Sequence, residues 1–156
     1  MSKIKRLDHI GIAVKDLDKS IHRFKTILGA ELMTKTEVEI AGGKLSAAFL
    51  KLGDNLIVLD SSDDPKSAIA RYVSKRGEGL HHLCFEIDDL GQFIKILEGE
   101  DMTISHEDVT NSIRKEIFIH PKDFCGILLQ IIEWKGGSDR NVEDRIQRLI
   151  KGSKGR

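Results

Sequence analysis

The 156-residue sequence predicts an α+β fold of two tandem βαβββ modules sharing a cleft. Eight short stretches alternate apolar with polar residues or run β-branched, as strands do. Two stretches with helical spacing each follow the first strand of one half of the chain. The chain also repeats itself: DHIGIAVKDL (8–17) lies over HHLCFEIDDL (81–90), which brings His9 onto His82. At the same offset, Leu56-Ile57-Val58 falls on Leu129-Gln130-Ile131, so Ile57 is the expected counterpart of Gln130. A repeat of this length sets the architecture before any single element does.

The elements follow in order. LDHIGIAV (7–14) is the first strand. Asp16 then caps a helix whose Ile21, Phe24, Ile27 and Leu28 form one apolar stripe, with Gly29 as its stop. Strands are expected at 31–40, at 44–53 after a Gly42-Gly43 turn, and at 55–61. Residues 63–79 read as a connecting helix, with Pro65 near its start and Gly77 at its end. The pattern then restarts, with a strand at 80–87 and a helix at 88–100 that turns Phe93, Ile96 and Leu97 inward. Three strands follow at 102–109, 114–121 and 126–134. The organisation is therefore one domain over 1–134, with module one at about 5–62, the connector at about 63–79 and module two at about 80–134. A linker and a C-terminal helix occupy 135–156, with Val142, Ile146, Leu149 and Ile150 on one side for docking.

Composition narrows the function. Lys+Arg and Asp+Glu both number 25, and only the last stretch leans basic, which argues against nucleic-acid binding. No segment approaches the roughly 20 apolar residues of a membrane span, and the expected location is the cytoplasm. Cys84 and Cys125 sit in apolar segments and read as small buried hydrophobes. Nucleotide-cofactor fingerprints and a nucleophile elbow are both missing.

The strings LDHIGIAVKDLDKSI, KRGEGLHH and IFIHPKDFCGILLQI, set in the repeated βαβββ plan, resemble the vicinal oxygen chelate (glyoxalase/bleomycin resistance/dioxygenase) superfamily. Within it the chain is most similar to methylmalonyl-CoA epimerases, over about residues 5–133. The resemblance implies a glyoxalase-like fold and a divalent metal (Co, Mn, Ni or Zn) held by side chains from the first and last strand of each module. It also implies a small-molecule substrate of the acyl-CoA kind and a homodimer. The ligand positions it indicates are His9, His82 and Gln130, with Ile57 at a fourth position that cannot bind metal. The implied acid–base positions are Gln130, where the family carries a glutamate, and Ser46.

Each candidate has a plainer reading. A single histidine on an apolar strand is usually core, but His9 and His82 are equivalent under the repeat, and neutral imidazole suits first-row metals. His81 alternates with His82 and faces the other way. Gln130 lies in an apolar strand and needs a partner, either metal or a cross-sheet hydrogen bond. Glu37, Glu39, Glu107 and Glu116 are carboxylates that stand in for the missing base or simply solvated charges. His120 and Lys122 of HPKD belong to a turn or touch an anionic group of the substrate. The expected function is metal-dependent epimerisation through α-proton abstraction. The alternatives are a glyoxalase-type isomerase or lyase, or a metal-free small-molecule binding module.

Overall fold

The helices begin where the sequence supplies a cap. Asp16 accepts from the Lys19 N–H at the start of α1 (Leu17–Leu28), and Asp89 accepts from the Gln92 N–H at the start of α3 (Leu90–Gly99). These two caps are themselves equivalent under the repeat. Gly29 closes α1 in the left-handed conformation at φ 65°, which a residue without Cβ adopts freely. Ser67 caps the connecting helix α2 (Ala68–Arg76), shorter than expected because residues 63–67 form its approach. The computed structural model describes residues 2–40, 43–136 and 141–154. The Gly42 half of the predicted turn and part of the linker lie outside these.

The chain forms two compact units, one of His9–His81 with Arg140–Arg156 and one of Met1–Asp8 with His82–Asp139. In the first unit the strand order is β2-β3-β4-β1, with β1 spanning Ile4–Ala13, β2 Glu31–Ile40, β3 Gly43–Leu52 and β4 Asn55–Ser61. β4 runs parallel to β1 and antiparallel to β3, and β3 runs antiparallel to β2. α1 covers one face, where Val14, Leu17, Ile21 and Phe24 pack with Ile10, Ile12, Ala48, Leu50, Ile57 and Leu59. Full burial of side chains such as Leu50 and Leu59 contributes about 1.5–3 kcal/mol each. Ile27 and Leu28 of the expected stripe are 74% and 53% exposed, so α1 buries its stripe only as far as Phe24.

Strand alternation turns every second residue away from α1. On that far face stand His9 and Ala13 of β1, Ala47, Phe49 and Lys51 of β3, and Leu56, Val58 and Asp60 of β4. The C-terminal helix α4 (Val142–Lys154) lies against β2, with Val142, Ile146 and Leu149 buried. Its Glu143 accepts from Lys51 Nζ at 2.7 Å, which fixes α4 on the side away from α1.

The second unit repeats the plan with strand order β5-β8-β7-β6, formed by β5 (Gly79–Ile87), β6 (Ile104–Asp108), β7 (Arg114–Ile119) and β8 (Leu128–Trp134). Leu90, Phe93, Ile94 and Leu97 of α3 pack on Leu83, Phe85, Ile87, Ile117, Ile119, Leu129 and Ile131. Ile96, expected inside, is 40% exposed, and Ile94 takes the inward place. Residues 121–123 form a short 3-10 turn in place of the end of β7. Cys84 is buried as expected, whereas Cys125 is exposed, at φ 51° in the turn after it.

Candidate functional site

The second unit's far face is built from charged and polar side chains that are almost wholly buried. β5 contributes His82, Cys84 and Glu86, β8 contributes Gln130, and β7 contributes Arg114 and Glu116. Glu116 is 0% exposed, and one of its oxygens accepts from Arg114 Nε and from Gln130 Nε2, each at 2.9 Å. Buried charges persist when paired and hydrogen-bonded in this way. The Arg114 guanidinium also lies 5.8 Å over the Trp134 ring. Near the unit's edge Arg6 pairs with the buried Glu86 at 3.1 Å. Asp8 and Cys84 bring a carboxylate oxygen and a thiol within 4.8 Å of each other. Burial, with Asp8 adding to it, pushes the Cys84 thiol well above its ordinary range, so it stays protonated and is no nucleophile.

Gln130 therefore has its hydrogen-bond partner, and the pairing fixes its amide. With Nε2 donating to Glu116, the carbonyl oxygen Oε1 is the lone-pair end left to face a ligand. Of the four glutamates singled out as substitute bases, Glu37, Glu39 and Glu107 are exposed, and Glu116 alone reaches the Gln130 amide. His82 is buried on the same face. His81 faces away, edge-on to the Tyr72 ring at 5.0 Å, and burial holds its imidazole down at about 4. It is a packing residue. His120 accepts from the Lys122 N–H through Nδ1, and Asp123 accepts from the Thr103 N–H, so HPKD is built as a turn.

The first unit's far face is different in kind. His9 is 5% exposed. Two sequence assignments are corrected here. Ile57 belongs to the α1 core and is not the counterpart of Gln130. Gly11 pairs with Val58 and its repeat-equivalent Cys84 pairs with Gln130, so Val58 occupies that position. Ser46 pairs with Ser61 and Glu37 on the α1 side, while the β3 residue that turns to the far face is Ala47. The Ile57 assignment is a one-residue slip, and in a strand a slip of one moves a side chain to the opposite face.

What the sequence reading missed is Asp60. It sits on the far face beside Val58, registered with Ala47 of β3 and Ala13 of β1, and is 7% exposed. Burial raises its carboxyl to about 7. The signal was present in LIVLD, where the acid continues the every-second-residue series of Leu56 and Val58.

Comparison with known proteins places these faces in context. The family model of the Glyoxalase/Bleomycin resistance protein/Dioxygenase superfamily matches residues 8–118. The mitochondrial methylmalonyl-CoA epimerase of Homo sapiens is 32% identical over 129 residues, which cover 81% of this chain and 72% of that protein. The ethylmalonyl-CoA/methylmalonyl-CoA epimerase of Cereibacter sphaeroides is 32% identical over 132 residues, covering 82% of this chain and 97% of its own. A variant of Streptomyces coelicolor methylmalonyl-CoA epimerase, solved with 2-nitronate-propionyl-CoA, aligns with TM-score 0.73 and 25% identity, covering 86% of this chain and all of that one.

Proposed function

The chain belongs to the glyoxalase/bleomycin resistance protein/dioxygenase superfamily, and from that premise we propose that it is an epimerase acting on a malonyl-type acyl-CoA thioester. The observation that carries the proposal is its similarity to epimerases of this specificity, together with buried histidines at equivalent places in both modules. In such a substrate the α-proton lies between two carbonyl groups and is acidic enough for a side chain to remove. A base takes that proton, the electron pair moves into the adjacent carbonyl, and a proton returns on the opposite face of the carbon. No electron acceptor is needed.

The residues that would hold a divalent ion are His9, His82 and Gln130. Two imidazoles and an amide oxygen suit Co, Mn, Ni or Zn, and Glu116 leaves that oxygen free by taking the amide N–H. Val58 has no lone pair, so the set stops at three protein ligands, as in sites that leave positions open for substrate. Such an ion, when bound, supplies Lewis-acid polarisation of carbonyl oxygen.

A second reading follows from Val58, Phe49 and Leu56, which are apolar on the far face of the first unit, with α4 on the same side. That face suits a metal-free binding module. Incubation with methylmalonyl-CoA in deuterated water, with and without Co²⁺, separates the two. The epimerase gains one mass unit at the α-carbon in a metal-dependent manner. Bound metal without exchange would point to another reaction of the superfamily, and neither metal nor exchange to a binding module.

A further inference from the structure

We propose that Asp60 is a proton-transfer group of this chain, serving one face of the substrate α-carbon from β4. This rests on the α-proton chemistry proposed above. The sequence offered Ser46 for such a role, but Ser46 stands on the face that α1 covers. Asp60 stands on the opposite face, two residues along β4 from Val58 and hence about 6.6 Å from it. Val58 and Gly11 are registered partners, and His9 lies two residues before Gly11 on the same strand face. The carboxylate thus shares a sheet face with the His9 imidazole.

Its registered neighbours are small and buried. The residues registered with Asp60 are Ala47 and Ala13, the smallest side chains on that face apart from glycine. Among the described residues its carboxylate has no hydrogen-bond donor and no cationic partner, although its backbone carbonyl accepts from the Val14 N–H. Buried carboxylates that serve structure are almost always hydrogen-bonded or paired, as Glu116 is. A buried acid held without a partner is a cost to the fold, and such costs gather where chemistry needs them. Burial also brings its proton affinity to about 7, where a carboxyl both takes and gives a proton near neutral pH.

The step balances without a further reactant. The Asp60 carboxylate takes the α-proton, the C–H pair becomes the enolate π bond, and a second acid delivers a proton to the opposite face. Asp60 is left protonated and the second acid deprotonated, and both reset through solvent.

The test compares the full chain with Asp60→Asn and Asp60→Glu, following α-proton exchange from each epimer of methylmalonyl-CoA separately. Asp60→Asn should lower exchange from one epimer by about a hundredfold or more. It should do so with unchanged metal content and an equal or higher melting temperature, and Asp60→Glu should recover part of the rate. Exchange from both epimers within about threefold of wild type, against the hundredfold loss expected, would overturn the assignment alone. So would a lower melting temperature with both epimers affected equally and no rescue by glutamate, since that is a structural role. A wild-type chain that exchanges neither epimer overturns the epimerase proposal, and the assignment with it.

Discussion

The far faces of the two units carry equivalent residues in opposite electrostatic settings. In the second unit Glu116, Arg114 and Gln130 satisfy one another, and nearly every charge is buried with a counter-group. In the first unit Val58 stands where Gln130 stands in the second, and the Asp60 carboxylate has no partner among the described residues. The same backbone plan therefore supports a wired surface on one side and a single tunable acid on the other. A charge that is wired stabilises what it joins, whereas a lone buried acid destabilises the fold whenever it ionises.

Removing the two acids should accordingly move stability in opposite directions. Glu116→Gln leaves the Arg114 charge buried without its carboxylate and should cost about 3–5 kcal/mol in denaturant unfolding. A loss much below that would mean the network is not a unit. Asp60→Asn should instead stabilise the protein at pH 8, with a ceiling on the order of 4 kcal/mol from the distance between 3.8 and about 7. The sign follows from proton uptake. Between those values the folded state holds a proton that the unfolded state has released, so wild-type stability falls as pH rises through the window. Well below the unfolded value of 3.8 both states are protonated, and wild type and Asp60→Asn should coincide.

Smaller changes sharpen the comparison at the helices. Asp16→Ala removes the cap of α1 and should cost about 1 kcal/mol. Asp89 caps α3 in the same way, and the N–H groups it accepts from, Gln92 first, hold its carboxyl below the ordinary carboxylate range. Its contribution is present above the unfolded value and fades as pH falls through the folded one. The smallest effect belongs to Lys51→Ala. The Glu143 hydrogen bond raises the Lys51 ammonium above its ordinary value, and Lys51 lowers Glu143, yet both are solvent-screened. Global unfolding should not change measurably, while amide exchange in α4 should quicken.

Much of this was legible in the sequence for physical reasons. The repeat, the paired caps Asp16 and Asp89, and the alternation of β1 and β5 are local signals, and they placed His9 and His82 correctly within their strands. Register was not legible. The assignment of Ile57 failed by one residue, and Ser46 fell on the α1 side, because the sequence shows alternation but does not say which parity α1 will cover. Glu116 was visible only as one of four candidate carboxylates. Its burial depends on Arg114 and Gln130, which come together only when β7 pairs with β8. Asp60 is not legible because an acid at the end of an apolar strand usually marks the turn to solvent.

The difference between the two faces is tested most directly by a ¹³C-detected NMR titration of the Asp60 carboxyl in the wild-type protein. A buried, partnerless acid predicts a midpoint near 7. A midpoint near 4, the ordinary carboxylate value, would mean that Asp60 is hydrated or paired, and the contrast drawn between the two faces would not stand.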